Sequence, residues 1–247
     1  MRIVIAEFMD EAAVASLRAR HATEYDAGLV DRRGDLLRAA ADADALIVRN
    51  RTRVDAELVA AAKKLRVVGR LGVGLDNIDL SACAARGVEV IPATGANALA
   101  VAEYVIACAF VLVRGAYLST AATAAGEWPR PALSGGGELR GRTLGLVGFG
   151  SIGRVTARLG RAVGMKPIGF DPNVADAAAL WREEETAPRP LDDVLREADV
   201  VSLHVPLTAA TRGLIDAAKL ALMKRDAILV DTARGGVAKE SDVAAAT

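Results

Sequence analysis

Gly148-Phe149-Gly150-Ser151-Ile152-Gly153 is the turn on which the fold is read. Ahead of it, Thr143-Leu144-Gly145-Leu146-Val147 is an apolar run of the kind that forms a strand buried on both faces. Behind it, residues 154–163 have helical spacing, with Ile152, Val155, Ala157, Leu159 and Val163 available for one buried face. Pro167-Ile168-Gly169-Phe170 reads as a second strand, and Asp171 stands at its end. Strand, glycine turn, helix, strand and acid together form a dinucleotide-binding βαβ unit. Gly148 allows the tight turn, Gly150 lets the backbone approach a pyrophosphate, and Gly153 permits close packing of helix and strand. The free N–H groups of the first helical turn hold phosphate charge. Asp171 is placed to accept hydrogen bonds from ribose hydroxyls and to repel a 2′-phosphate. Pro172 and Asn173 follow it, not an arginine, so NAD is favoured over NADP.

The chain has 247 residues, 52% of them hydrophobic, and a formal net charge of zero. That length suits one large or two modest α/β domains. No basic stripe points to nucleic acid, and no polybasic tail points to an anionic membrane. The longest apolar run, around residues 98–113, is interrupted by Glu103 and Tyr104. The opening Met1-Arg2-Ile3-Val4-Ile5-Ala6 runs straight into Glu7 and Asp10, unlike a signal peptide. Cys83 and Cys108 fall in helical patterns and suggest neither a metal cluster nor a disulfide framework. A reducing, cytoplasmic setting is expected, with no metal.

Working outward, the first ~95 residues alternate strand and helix. Ile3-Val4-Ile5-Ala6, Ala45-Leu46-Ile47-Val48, Leu65-Arg66-Val67-Val68-Gly69 and Val88-Glu89-Val90-Ile91 read as strands. Helices are expected after Asp10, over residues 54–62, and from Asp79 or Ser81 to Gly87. An apolar helix over residues 98–113 leaves this lobe. The irregular stretch 115–141, with Trp128-Pro129-Arg130-Pro131, suits an arm more than a core. Beyond the glycine turn, a helix is expected near 191–197, a strand at Val200-Val201-Ser202-Leu203, a helix over 215–223 and a strand at Ala227-Ile228-Leu229-Val230. Arg182-Glu183-Glu184-Glu185 reads as a solvated segment. The expectation is an α/β protein of two doubly wound parallel-sheet lobes: a flavodoxin-like lobe at 1–96 and a Rossmann domain at 97–247. The Rossmann domain, with four strands where about six are usual, is expected to be incomplete at its C-terminal end.

Several segments resemble the D-isomer-specific 2-hydroxyacid dehydrogenases, within them the phosphoglycerate dehydrogenase branch. Gly69-Arg70-Leu71-Gly72-Val73-Gly74-Leu75-Asp76-Asn77-Ile78-Asp79 is similar to the family's substrate-lobe signature. Leu203-His204-Val205-Pro206-Leu207-Thr208 and Asp231-Thr232-Ala233-Arg234-Gly235-Gly236 are similar to its later nucleotide-domain motifs. The resemblance covers essentially the whole chain. It implies that Arg234 binds the substrate carboxylate and carbonyl, a role suited to a permanently charged, forked guanidinium. It implies that the N–H groups of Val73 and Gly74 take the other end of that carboxylate, and that Ser151 and Ile152 present amides to the pyrophosphate. His204, Val205, Pro206 and Thr232 line the cofactor path. Arg49 and Arg70 lie near a second anionic group of the substrate. Arg49-Asn50-Arg51 looks like an anion clamp, or else Arg51 is a solvated loop residue.

The resemblance also implies a catalytic glutamate and histidine at positions beyond Thr247. His204 is either a packing histidine beside the cofactor or, less in keeping with the family, an acid/base group. The expected protein is an NAD-dependent oxidoreductase, a homodimer, acting on a small 2-hydroxy or 2-oxo acid such as a 3-phosphoglycerate-like or sulfolactate-like compound. The alternative is a truncated, non-catalytic NAD-binding protein or regulator. The 247-residue polypeptide alone is expected to turn over poorly.

From the position of Asp171, the chain binds NADH more tightly than NADPH, and Asp171→Ala weakens NADH and narrows the difference. Calorimetric titration of both cofactors measures this; equal binding of NADPH would remove Asp171 from the ribose site.

Overall fold

The computed structural model describes residues 1–246. The chain divides into two compact units, Met1–Ala96 and Asn97–Thr247.

The first unit is a five-stranded, wholly parallel sheet. Its strands are β1 (Arg2–Ile5), β2 (Ala22–Tyr25), β3 (Ala45–Val48), β4 (Val67–Arg70) and β5 (Glu89–Pro92), in the order β2-β1-β3-β4-β5. Four helices connect them: α1 (Glu11–Arg18), α2 (Arg33–Ala40), α3 (Ala56–Ala61) and α4 (Leu80–Ala85). Three of these start at an aspartate whose carboxylate accepts a free N–H of the first turn: Asp10 from Ala13, Asp55 from Leu58, and Asp79 from Ala82. Val4, Leu46 and Val68 on the sheet pack with Leu36, Leu58 and Val59. Strand β2, at the edge, is only half-buried. This is the flavodoxin-type strand order, and its topological switch point lies between β1 and β3.

The second unit opens with α5 (Ala98–Arg114), followed by the short helices α6 (Thr120–Ala124) and α7 (Arg130–Leu133). Then come β6 (Thr143–Val147), α8 (Ser151–Ala162), β7 (Lys166–Phe170), α9 (Ala179–Glu183), β8 (Ala187–Pro188), α10 (Leu191–Glu197), β9 (Val200–Leu203), α11 (Ala217–Leu220), β10 (Ile228–Asp231) and α12 (Glu240–Ala246). The sheet is parallel, in the order β10-β9-β6-β7-β8, with its switch point between β6 and β9. Helices α5 and α8 pack on each other. Ala98, Ala102, Val105, Ile106 and Ala109 are buried on α5, and Gly153, Ala157 and Gly160 on α8. Gly160 lets α8 lie close on the sheet, since a Cβ there would sit 2.5 Å from Leu144 of β6. No single helix among the described residues is long and apolar enough to cross a membrane.

Three details depart from the sequence expectations. The described sheet of this unit has five strands, not four, because β8 adds two residues beside β7. The helix expected over 215–223 shrinks to α11: Ile215 is drawn into a bridge with Ala238, and Asp216 caps the helix by accepting the Lys219 N–H. Residues 182–185 are not simply solvated. The Glu184 side chain is 7% exposed and takes a two-pronged contact from Arg158 on α8, with Arg158 Nε at 2.7 Å. Arg161 donates to the Glu184 backbone carbonyl. These contacts fasten the α9–β8 turn to α8.

The Arg158 guanidinium holds the Glu184 carboxyl below its ordinary value of 4.5, against the opposing effect of burial. A carboxylate depressed in this way stabilises the fold above its unfolded pKa, and that contribution is lost as pH falls through the lower folded value. Glu184→Gln therefore lowers stability at neutral pH by about 1–2 kcal/mol, toward the small end because Arg158 is half in solvent. The gap between wild type and variant closes in acid. Denaturant titrations at neutral pH and in acid, near pH ~3, measure both effects.

Candidate active site

At the switch point of the second sheet, the chain leaves β6 through Gly148, whose φ of +98° is the left-handed region that favours glycine. A Cβ at Gly148 would meet the His204 carbonyl carbon and oxygen, both at 2.8 Å, so the turn lies hard against the end of β9. At Gly153 a Cβ would sit 2.3 Å from the Gly148 carbonyl oxygen. A Cβ at Gly150 meets nothing within 4 Å. The protein therefore leaves room beside the backbone where helix α8 begins, and Gly150 supplies no side chain to cap it. Open space, free N–H groups at Ser151 and Ile152, and the positive end of a 12-residue helix form a cradle for a pyrophosphate.

Asp171 follows β7 directly. Its Oδ2 accepts the Phe149 N–H at 2.8 Å and its Oδ1 accepts the Asn173 N–H at 2.9 Å. The acid is thereby tied to the glycine turn, and each oxygen keeps a lone pair for a ribose hydroxyl. Beneath the turn, the Phe149 and Trp181 rings stack with centroids 4.2 Å apart, and both are buried. Val205 and Pro206 follow β9; the Val205 side chain touches the position above Gly148, and Pro206 is exposed. Thr232, after β10, donates through Oγ1 to the Leu203 carbonyl. The structure thus gathers the glycine turn, Asp171, His204, Val205 and Thr232 at the C-terminal edge of one sheet. Arg234 lies in the loop after β10, half-buried, with Nη1 donating to the Ala233 carbonyl at 2.8 Å.

His204 is enclosed. Its Nε2 lies 3.0 Å from Ser202 Oγ, its Nδ1 is buried, and its Cδ2 faces Gly153. Burial pushes its pKa down from 6.5 to about 4, so the ring is neutral at physiological pH. This favours the packing role over the acid/base role.

The first unit carries the other candidates. Arg49 leaves β3 and Arg70 ends β4. The Arg49 guanidinium lies over the Phe8 ring, 5.7 Å from its centroid, and Arg49 is exposed. Arg51 turns to Asp31 in an exposed ion pair, so its guanidinium does not stand free beside that of Arg49. Arg70 is buried and folded back, donating to the Leu71 carbonyl at 3.0 Å. In the Gly72-Val73-Gly74 turn, Gly72 has a φ of +154° and bonds to Arg70 and Ala93. The N–H groups of Val73 and Gly74 take no part in backbone hydrogen bonds among the described residues, which leaves two donors for a carboxylate.

Two further residues hold this region: Glu7, which lies in no motif, and Asn77, which lies in the signature at 69–79 with no role implied there. Glu7, 4% exposed, accepts the N–H groups of Arg49, Thr52 and Arg51. Asn77 donates to the Arg49 and Thr52 carbonyls. In the sequence Glu7 is marked only as a lone acid after a hydrophobic strand.

A histidine held neutral in the fold must take up a proton on unfolding at mildly acidic pH. Its depressed pKa therefore adds stability that is present above about 6.5, fades as pH falls toward about 4, and changes no further below that. Relative to His204→Gln, the wild type loses up to about 3 kcal/mol across that window. Paired denaturant melts at neutral pH and near pH ~4.5, inside that window, measure the difference.

Residues 106–247 match the family described as D-isomer specific 2-hydroxyacid dehydrogenase, NAD binding domain. The chain is 54% identical over 243 residues to an (S)-sulfolactate dehydrogenase of Chromohalobacter salexigens, covering 98% of this chain and 78% of that one. It is 37% identical over 240 residues to a D-3-phosphoglycerate dehydrogenase of Methanocaldococcus jannaschii, covering 97% of this chain and 45% of that one. Among solved structures, the TT0316 protein of Thermus thermophilus superposes with a TM-score of 0.87 at 34% identity, covering 100% of this chain and 78% of that one. The switch-point cradle, the acid that closes it and these similarities agree: the chain belongs to the D-isomer-specific 2-hydroxyacid dehydrogenases, and its second unit matches their NAD-binding domain.

Proposed function

We propose that this protein moves hydride between NAD and C2 of a small 2-hydroxy acid that carries a second anionic group, with a sulfolactate-like or 3-phosphoglycerate-like compound as substrate. The observation that carries the substrate reading is Arg49, exposed at the β1/β3 switch point where open parallel sheets bind ligands, with its guanidinium over Phe8. Two similar proteins, the sulfolactate and phosphoglycerate dehydrogenases, bear the names of substrates with such a second charge.

When bound, NAD supplies the hydride acceptor. The protein's residues hold and orient. Gly148, Gly150 and the Ser151 and Ile152 amides receive the pyrophosphate, and Gly153 lets α8 come close enough to present those amides. Asp171 receives the ribose hydroxyls. Val205, Pro206 and Thr232 border the path of the cofactor. In the second unit Arg234 is a receiver for the substrate's carboxylate; in the first, the Val73 and Gly74 amides are donors for a carboxylate and Arg49 for a distal anion. Arg70, buried and turned onto the Gly72 turn, shapes the carboxylate-binding loop. His204 is a packing residue under the turn.

The protein is further proposed to be a cytoplasmic homodimer. Tyr104, Phe110 and Leu112 on α5 and Trp128 in the following arm expose large apolar surface, with Trp128 77% exposed. Both cysteines are free thiols, as a reducing compartment would keep them.

Arg234→Lys tests the assignment. An ammonium cannot reproduce a forked contact with a 2-oxo acid, so kcat/KM of the active enzyme falls at least ~100-fold. A change of only a few-fold would take Arg234 out of the site.

A further inference from the structure

We infer that Glu7 and Phe8, which follow β1, are positioning residues that set substrate specificity by fixing the Arg49 guanidinium at the β1/β3 switch point. The inference rests on the reading of Arg49 as the site of the distal anion.

Glu7 is a carboxylate buried to 4% exposure just after β1, and the proposed hydride transfer and cofactor binding give it no part. Such a group is costly unless fully engaged. Its engagement is specific. Oε1 accepts the Arg49 N–H at 2.8 Å and the Thr52 N–H at 2.9 Å, and Oε2 accepts the Arg51 N–H at 3.2 Å. All three donors belong to the loop that leaves β3. Burial alone would raise the Glu7 carboxyl, but these N–H groups outweigh it and hold it below the usual glutamate range. From the other side, Asn77 Nδ2 donates to the Arg49 carbonyl at 3.1 Å and the Thr52 carbonyl at 2.7 Å. Residue 49 is thus held by its N–H and its C=O at once.

Phe8, the next residue, completes the arrangement. It is 62% exposed, and the Arg49 guanidinium lies 5.7 Å from its ring centroid. A flexible arginine on an aromatic platform loses less freedom on binding an anion than one waving in solvent. Glu7 therefore fixes where the Arg49 side chain starts, and Phe8 fixes where it ends. Arg51, sharing the same loop, is diverted to Asp31, so the anion meets one defined guanidinium.

The experiment compares kcat/KM for sulfolactate and 3-phosphoglycerate with that for lactate, which has the carboxylate and hydroxyl but no distal anion. It uses the active enzyme with Arg49→Gln, Glu7→Gln and Phe8→Leu. Gln offers one acceptor oxygen where the loop presents three donors. The preference for the better of the two doubly charged substrates over lactate falls about tenfold in Glu7→Gln and about threefold in Phe8→Leu, through KM rather than kcat, with KM for NAD unmoved. Arg49→Gln lowers it further. Which of the two wild-type substrates is preferred distinguishes a sulfonate site from a phosphate site. If Arg49→Gln removes the preference while Glu7→Gln and Phe8→Leu keep the wild-type ratio, the positioning role is overturned and the anion site stands. If Glu7→Gln weakens both substrate types equally, its role is structural and the inference fails. If Arg49→Gln itself keeps the preference, the reading of the anion site fails. Should Glu7→Gln not fold, Phe8→Leu at its exposed position decides alone.

Discussion

Helix α8 can start where it does only because residue 153 has no side chain. Its Cα rests against the Gly148 carbonyl, where a Cβ would lie 2.3 Å from the oxygen. That contact sets the helix over the turn and aims its first N–H groups into the open space beside Gly150. It also sets the depth at which α8 meets the sheet, a packing that continues at Gly160, where a Cβ would lie 2.5 Å from Leu144 of β6. Even the acid depends on it. Asp171 is bonded to the Phe149 N–H inside the same turn, so moving the turn would move the carboxylate. The stacked Phe149 and Trp181 rings close the turn from below, so that backbone, acid and core form one connected body.

The two units solve a similar problem with different chemistry. Each is a parallel sheet that changes direction of winding at an internal strand pair, and each collects its polar groups at the C-terminal edge of that pair. In the nucleotide unit the switch point offers an anion peptide dipoles, which need no charge and no flexible side chain. In the proposed anion site of the first unit the donor is a guanidinium, and its geometry must be imposed from outside. A buried carboxylate and a carboxamide grip the loop, and an aromatic ring carries the side chain. Peptide amides suit a group present in every turnover. A side chain lets one fold accept different acids by changing few residues.

Two internal polar groups show how burial decides function. His204 stands at the end of a strand beside the cofactor path, where a histidine invites a catalytic reading. Burial of the ring lowers its pKa and keeps it neutral, with Ser202 Oγ beside Nε2, as suits a packing group. Glu184 stands in a run of charges that looks like surface, yet its carboxylate is inside, facing Arg158. In both cases the side chain's chemistry is unchanged and its surroundings determine what it does.

Local pattern was enough for much of this protein. Apolar runs of four or five residues announced the central strands, because a strand covered on both faces must be apolar throughout. The glycine spacing with Asp171 announced the nucleotide cradle, because each glycine answers a steric demand that only a few residues away can create. Asp10 and Asp79 marked helix starts, because a cap bonds within its own turn. What escaped the sequence depends on partners far along the chain. Arg51 turns to Asp31, 20 residues away, Glu7 reaches the loop at 49–52, more than 40 residues away, and Arg158 meets Glu184 across 26. Strand β8 exists only because β7 offers it an edge. The central elements, the fold class and the cradle for the pyrophosphate follow from residue order alone, since they rest on short-range sterics and on hydrophobic period. Which arginine is paired and which lies over a ring, which glutamate is buried and which histidine is neutral emerge with the folded chain, since charge and desolvation act through space and not along the chain.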